Sequence, residues 1–133
     1  RLRYEDKREV LESTGQNPYQ ALYQGFTLSE ICLTIVDTKN IPVGIFGVSE
    51  DGAIWLLATP DIKRIRFSFL RESRKVVNLL NHKYKLLWNF VDCRNELHLR
   101  WLKWCGFKFL RKINYVVNQK PFYEFIKLCA VQR

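Results

Sequence analysis

The chain has 133 residues, 47% of them hydrophobic and 14% aromatic, which is enough for one hydrophobic core and too short for two. A single domain over residues 1–133 is therefore expected. The net charge of +9 is uneven: residues 1–58 hold five Lys/Arg and eight Asp/Glu (−3), and residues 59–133 hold seventeen and five (+12). Such a basic half attracts phosphorylated cofactors, nucleic acids or acidic protein surfaces, and charge alone does not choose among them.

The cysteine pattern and the apolar runs argue against several classes of protein. Four cysteines include no CxxC pair and mostly lie in apolar runs, as reduced thiols of a cytoplasm-made protein do. No metal site is predicted, because the spacing matches no usual zinc pattern for the candidates His82, Cys93, His98 and Cys105. No secretory segment is visible, and no uncharged stretch has the roughly 20 apolar residues of a membrane-spanning helix.

The first 27 residues are predicted to form two helices. YEDKREVLEST has acids in an early turn, Val10 and Leu11 on an inward face, and Gly15 as its stop. NPYQALYQGF starts a second helix with Asn17 as N-cap and Pro18 at the first helical position.

From Glu30 the pattern changes to short β-rich runs. ICLTIVD and IPVGIFGVSE are separated by the polar turn DTKN, and EDG leads into a third run, AIWLLA. These runs predict an antiparallel meander of three strands.

The second half alternates between helical and strand patterns. From Thr59 to NHKY, apolar residues recur at helical spacing between Lys and Arg, which predicts a long basic amphipathic helix. The apolar strand KLLWNFV follows, then a helix, NELHLRWLKWCGF, and two strands, FKFLRKINYVV and FYEFIKLCAV. The order ααβββαβαββ favours an α/β (α+β) sandwich whose mixed sheet is mainly antiparallel with one parallel pair.

The helix NELHLRWLKWCGF carries a more specific pattern. Asn95 is expected to cap it, Leu102 to face the core, and Gly106 to take the left-handed conformation that ends it. The stretch resembles the helix that follows the fifth strand of GNAT acetyltransferases, at the positions Asn95, His98, Trp101, Leu102, Gly106 and Phe107. The resemblance implies a GNAT-like three-layer sandwich.

A closer resemblance covers residues 41–127. IPVGIFGV, AIWLLATPDI, FLRESRKVVNLL, LLWNFVDCRNELHLRWLKWCGF and FYEFI are similar to small GNAT-like proteins of short-tailed bacteriophages, including the internal virion protein A family. That resemblance implies a virion protein, made in the host bacterial cytoplasm, that belongs to the phage head interior or its assembly. Its partners would be other phage virion proteins.

The cofactor equipment that the GNAT resemblance implies is incomplete. The family cradles the pyrophosphate of acetyl-CoA with a glycine-containing loop before the long helix, whereas ATPDIKRIRFSFLRES contains no glycine. Basic side chains can replace part of that electrostatics, but a solvated basic face of an amphipathic helix is their ordinary interpretation. If acetyl-CoA binds, the candidate contacts are Leu57, Ala58, Thr59, Arg64, Arg66 and Asn95.

The catalytic equipment is incomplete as well. The position of the usual acid of the family is Leu102, which has no proton to donate. His98, one turn away, is a weak candidate, and a partly exposed helix residue is its ordinary interpretation because no carboxylate lies at i±4. Glu30 and Asp37 flank the first strand, where a base or an ordinary strand-end carboxylate fits.

Three functions remain open. The first is a non-catalytic virion protein that acts through protein contacts, and the second is an acetyl-CoA-dependent N-acetyltransferase. The third is a basic protein that contacts packaged DNA through residues 59–133. Four aromatic residues are the expected anchors of a protein interface: Tyr19, Tyr23, Trp101 and Trp104. For the two tryptophans, packing in the core is the alternative.

Overall fold

The computed structural model describes residues 2–14, 16–115 and 120–129. Its helices are α1 (Tyr4–Thr14), α2 (Pro18–Leu28), α3 (Arg66–Lys83) and α4 (Glu96–Trp104), with a 3₁₀ turn at Pro60–Ile65. Its strands are β1 (Ser29–Val36), β2 (Pro42–Ser49), β3 (Ile54–Ala58), β4 (Leu86–Asp92), β5 (Lys108–Tyr115) and β6 (Lys120–Leu128). None of the helices in these ranges has the length and apolar character that a membrane crossing requires.

The predicted order ααβββαβαββ is confirmed, with one change at the long helix. Pro60 opens a 3₁₀ turn that runs directly into α3, so the α-helix proper begins at Arg66. The start of α2 follows the prediction: Asn17 Oδ1 accepts from Gln20 N at 2.8 Å, and the Gln20 side chain accepts from Asn17 N at 3.1 Å. Gly15, the predicted stop of α1, lies outside the described residues.

The strands form two three-stranded antiparallel sheets, in the orders β1-β2-β3 and β4-β6-β5. The predicted parallel pair is limited to one bridge between Ala53 and Trp88, where Trp88 N donates to Gly52 O at 3.0 Å. Past this bridge the described chain forms no β3–β4 ladder, and a side chain links the strands instead, since Asn89 Nδ2 donates to Ile54 O at 3.0 Å. The two sheets therefore separate toward the C-terminal ends of β3 and β4.

Each face of the first sheet packs against its own helices. On one face α3 and α4 share the main core with both sheets, as the buried residues Val48, Val77, Leu87 and Leu102 show. On the other face, α1 and α2 cover Trp55 and Leu57 with a smaller cluster formed by Leu2, Val10, Ala21 and Leu22. Leu11 was predicted to face inward, but its side chain is exposed.

The end of α4 has the predicted geometry. Gly106 has a φ of +89°, and Phe107 N donates to Leu102 O at 2.9 Å, which closes the helix. Phe107 is buried immediately before β5. This turn sends the chain into the second sheet below α4.

Candidate functional site

A buried polar cluster lies where the two sheets separate. It joins α1 to α4 and to the C-terminal ends of β3 and β4. Buried charged and polar side chains are uncommon in protein interiors unless they are paired, so the cluster is the most distinctive chemistry of the fold. Its members are Arg3, Asp6, Glu9, Asp92, Asn95 and His98.

Residues of the α1 region satisfy backbone groups at both strand ends. Ala58 N at the end of β3 donates to Asp6 Oδ2 at 2.7 Å, and Ala58 O accepts from Arg3 N at 2.7 Å. Asp92 N at the end of β4 donates to Glu9 Oε2 at 3.0 Å. Because β3 and β4 do not pair here, these buried groups need other partners, and the α1 region supplies them.

Asp6 is the centre of the cluster. Its Oδ1 accepts from Arg3 Nη1 at 3.1 Å and from Asn95 Nδ2 at 3.0 Å. Asn95 Nδ2 also reaches Glu9 Oε2 at 3.2 Å. Asn95 stands at the N-cap position of α4 but makes no side-chain cap bond, so the predicted capping role is wrong. Its side-chain amide donates to Asp6 and Glu9 of α1 instead.

His98 was predicted to be partly exposed, and this prediction is wrong. Its side chain is only 5% exposed, with Nε2 at 3.1 Å from Asp6 Oδ1 and Nδ1 at 3.7 Å from Glu9 Oε1. The carboxylates come from α1 rather than from α4 itself. Burial lowers the pKa of His98, although the charge of Asp6 opposes that shift, so the imidazole is neutral at pH 7.

Glu9 is held as a neutral acid. Burial, together with the nearby charge of Asp6, raises the pKa of Glu9 to about 8, and hydrogen bonds from Asp92 N and Asn95 only partly offset this. A protonated carboxyl can donate a hydrogen bond as well as accept one. Glu9 therefore titrates close to neutral pH at the edge of the cluster.

Asp92 is kept ionised by arginines. Burial alone raises its pKa, but Arg94 donates through Nε at 2.9 Å and through Nη2 at 2.7 Å, so the pKa of Asp92 lies below its usual range. Arg8 Nε lies 4.0 Å from the same carboxylate. The cluster thus contains both an ionised and a protonated acid.

A cavity of about 350 Å³ adjoins the cluster, between α1, α2 and the separating strands. Its wall is largely apolar, with Glu9 and His98 among the polar side chains that reach it and Trp55, Phe90 and Trp101 among the apolar ones. This volume is at the lower end of the range of small-molecule sites.

The predicted cofactor residues fall into two groups. Leu57, Ala58 and Asn95 are buried, and Asp6 bonds both Ala58 and Asn95. The remaining three have other partners: Thr59 N donates to Val43 O at 2.8 Å, Arg64 pairs with Asp61 at 2.9 Å, and the Arg66 guanidinium lies over Phe67.

The predicted acid position and interface residues have clear environments. Leu102 is 1% exposed and belongs to the core. Trp101 is also buried, with its ring centroid 6.1 Å from that of Phe69. It therefore packs in the core, which was the alternative to a role in an interface. Trp104 is 42% exposed, with its Nε1 donating to Leu70 O at 2.7 Å. Tyr19 and Tyr23 of α2 are both exposed.

Glu30 and Asp37 have structural partners. The Tyr84 hydroxyl and Lys83 hold the pKa of Glu30 below its usual range. Asp37 accepts from Ile41 N at 3.0 Å within the β1–β2 turn, which lowers its pKa in the same way. Nowhere in the described ranges do three or more His, Cys, Asp or Glu side chains converge in an arrangement that could hold a metal ion.

Sequence reasoning missed Arg3, Asp6, Glu9 and Asp92 as members of one site. One signal was present: Asp6, Glu9 and Val10 share one face of α1, so the apolar position predicted to be inward has two acids beside it. We interpreted the acids of the early turn, Asp6 among them, as part of a helix start, which requires no partner elsewhere in the chain, and Glu9 was not considered.

Comparison with solved structures confirms the predicted fold. Spermidine N-acetyltransferase from Vibrio cholerae, in complex with CoA and spermine, aligns with a TM-score of 0.63 and 13% identity over 94% of this chain and 86% of that protein. Ribosomal-protein-S5-alanine acetyltransferase from Vibrio fischeri aligns with a TM-score of 0.61 and 13% identity over 84% and 67%. Such low identities show a GNAT-like fold and nothing about activity.

Sequence comparison assigns the family. No curated protein matches the chain significantly. A family model described as "Bacteriophage T7, probable scaffold protein Gp13" matches residues 32–114, which is more than half of the chain and includes β2 to α4. The chain therefore belongs to the family of the bacteriophage T7 probable scaffold protein Gp13.

Proposed function

We propose that the chain is a non-catalytic structural protein of a short-tailed phage, which acts in the virion or its assembly through contacts with other virion proteins. The scaffold-protein family supports the structural role. We further propose that the protein belongs to the interior of the phage head, as in the internal virion protein A family. In this view the GNAT-like fold serves as a scaffold and transfers no acetyl group.

The occupied end of β3 is the observation that carries this proposal. Both backbone groups of Ala58 are already bonded, to Asp6 Oδ2 and to Arg3 N. Any ligand that ran between the sheets and paired with β3 would have to displace these bonds and the buried ion pair of Arg3 with Asp6. Displacing a buried pair is costly, because it leaves uncompensated charges out of water.

The segment before α3 supports the same conclusion. It is a 3₁₀ turn that contains no glycine and continues directly into the helix at Arg66. Asp61 lies in the first turn of this segment and pairs with Arg64. An acid at this point repels a pyrophosphate and occupies one of the two arginines that would attract it.

Acetyl-CoA titration followed by thermal unfolding tests the proposal. A ligand at 100 times its Kd stabilises a protein by about 2.7 kcal/mol, a shift of several degrees for a domain of this size. We expect no shift with acetyl-CoA. A clear shift that the Arg64→Ala/Arg66→Ala double variant abolishes would overturn the proposal, and Arg100→Ala, an exposed arginine on α4, serves as the matched control.

An N-acetyltransferase is the second candidate, and Glu9 favours it. A general base for an amine works best with a pKa near the operating pH, and the pKa of Glu9 is about 8 beside the cavity. Acetyl-CoA with spermidine or spermine as acceptor, followed by thiol release, measures this activity. Turnover that disappears in Glu9→Gln and persists in Glu96→Gln would establish the enzyme and refute the structural proposal.

DNA contact through residues 59–133 is the third candidate, and the +12 charge of this half favours it. Part of that charge is paired with an acid of the first half, since Lys83 Nζ lies 3.3 Å from Glu30 Oε1. Binding to packaged DNA predicts a micromolar affinity that falls steeply with salt. Binding that is absent or insensitive to salt removes this candidate.

A further inference from the structure

The outer side of α2 carries three aromatic side chains that the fold leaves uncovered. Tyr19, Tyr23 and Phe26 are 79%, 65% and 66% exposed. We call these three residues the α2 aromatic face. Single exposed apolar residues are ordinary, but three large rings on one side of one helix are a feature of binding surfaces.

This face is distinct from the one that α2 buries. The buried side holds Ala21, Leu22 and Gly25, and a Cβ at Gly25 would lie 2.9 Å from the Trp55 ring. The helix therefore already packs closely on the first sheet without using its rings. Among residues 2–14, 16–115 and 120–129, neither hydrophobic cluster includes a ring of the α2 aromatic face.

The spacing of the rings is the spacing with which one helix packs against another. Tyr23 follows Tyr19 by four residues, and Phe26 follows Tyr23 by three. This alternation of four and three residues keeps the rings in one narrow stripe, as the a and d positions of a helix pair do.

Charge favours a second copy as the occupant of that stripe. Residues 13–29 contain no Asp, Glu, Lys, Arg or His, the longest such run in the chain. Two copies of a protein with a net charge of +9 repel each other, mostly through the +12 of residues 59–133. Contact through α2 brings no like charges directly together, whereas a nucleic acid or an acidic partner would gain nothing from this uncharged helix.

We propose that the α2 aromatic face binds the same face of a second copy of this chain about a two-fold axis. This inference rests on the proposed structural function and names one of its partners. In such a self-complementary contact the two α2 helices cross, with Tyr23 near the axis and between Tyr19 and Phe26 of the second copy.

The size of the face predicts a weak dimer. A large aromatic side chain buries about 150–250 Å², so three rings with these exposures supply roughly 300–500 Å² per copy. A standard interface has about 800 Å² per partner, so this contact lies at the low end. The dimer should dissociate on dilution, with a Kd in the micromolar range or weaker.

Sedimentation velocity on the full chain, from about 5 to 500 µM, tests the proposal. We expect the wild type to shift from monomer to dimer across this range, and Tyr19→Gln/Tyr23→Gln to weaken dimerisation at least tenfold. Gln suits α2, which already contains Gln20 and Gln24. Leu79→Gln is the matched control, because Leu79 is 69% exposed on α3 and its loss should leave the dimer unchanged. Circular dichroism verifies that each variant is folded.

Two outcomes would overturn the proposal. A wild type that stays monomeric at 500 µM excludes a second copy and leaves the α2 aromatic face to a different phage protein. A dimer that persists in Tyr19→Gln/Tyr23→Gln places the contact elsewhere on the chain. Neither result bears on acetyl-CoA, whose titration tests the proposed function separately, so the two failures are distinguishable.

Discussion

Asp6 on α1 accepts the backbone N–H of Ala58 at the end of β3, although the two residues stand 52 positions apart. The same carboxylate pairs with Arg3 and accepts from Asn95, which is 89 positions away. One side chain therefore connects an N-terminal helix to both halves of the domain. The stability of the fold should depend on it strongly.

Replacing Asp6 by alanine should destabilise the chain by about 3–5 kcal/mol, because Arg3 would remain buried without its charge partner and Ala58 N–H without an acceptor. Urea unfolding at pH 7 measures this. Glu5→Ala is the control, since Glu5 is 41% exposed and its pair with Arg3 should contribute less than about 1 kcal/mol. Equal losses for the two variants would mean that the cluster does not support the fold.

Replacing Glu9 by glutamine should change how stability depends on pH. The pKa of Glu9 rises on folding from 4.5 to about 8, so its contribution is fully present below pH 4.5 and is lost as pH rises toward 8. The loss is on the order of 4 kcal/mol. Glutamine resembles the protonated acid, so Glu9→Gln should match the wild type near pH 5 and exceed it near pH 8. Denaturant unfolding across pH measures the difference.

Glu96→Gln is the control for this experiment, because Glu96 is 78% exposed on α4 and should leave the pH profile unchanged. Coincident profiles for Glu9→Gln and the wild type would show that Glu9 is ionised in the folded protein, contrary to its position in the cluster.

His98 should make the folded protein less stable as the pH falls, whereas Glu9 makes it less stable as the pH rises. Burial lowers its pKa below 6.5 in the folded protein, so the unfolded chain takes up the proton first, and stability falls as pH drops through 6.5. The nitrogen shifts of the His98 ring should therefore be those of a neutral imidazole at pH 6.5. Charged-ring shifts at that pH would contradict the assignment. In His98→Gln the acid-side loss should be smaller.

Two glycines with nearly the same positive φ should differ in their tolerance of alanine. Gly52 has a φ of +90° and Gly106 a φ of +89°, so each alanine costs about 1–2 kcal/mol in backbone strain. At Gly52 the new Cβ would also lie 2.2 Å from Leu86 O, whereas at Gly106 it would meet the flexible end of Lys127. Gly52→Ala should thus be clearly the more destabilising.

Thermal or urea unfolding of the two glycine variants measures this difference. Gly106→Asn should recover part of the loss, because asparagine tolerates the left-handed region better than alanine does. If both alanine variants lost the same stability, the close approach of Gly52 to Leu86 would not be a constraint.

The parts of the fold that were predictable depend on neighbouring residues. The start of α2 follows from Asn17 and Gln20, three positions apart, and the end of α4 follows from Gly106. The order of the elements was predictable as well. The spacing of apolar residues differs between helices and strands, and it can be recognised within a single element without knowledge of distant partners.

The site was not predictable in the same way, because its partners are distant in the sequence. Nothing near His98 indicates that Asp6 and Glu9 will lie against it, and nothing near Ala58 indicates where its N–H will find an acceptor. The inward prediction for Leu11 failed for a related reason. The strand ends require hydrogen-bond acceptors from α1, so the inner face of α1 is partly polar, whereas hydrophobicity alone would place leucine there. The tyrosines of α2 follow helical spacing, but spacing does not reveal whether a helix face is covered.

The docking of α1 has a consequence for how the chain is made. Its residues are synthesised well before their partners, since Asp92 and Asn95, which bond Glu9 and Asp6, follow more than 80 positions later. At about 5–20 residues per second, that delay is roughly 4–18 s. During this interval the acids of α1 are hydrated and the helix has no site to occupy. Helix α1 therefore precedes α4 in synthesis by many seconds, but it reaches its place in the fold only after α4 has emerged.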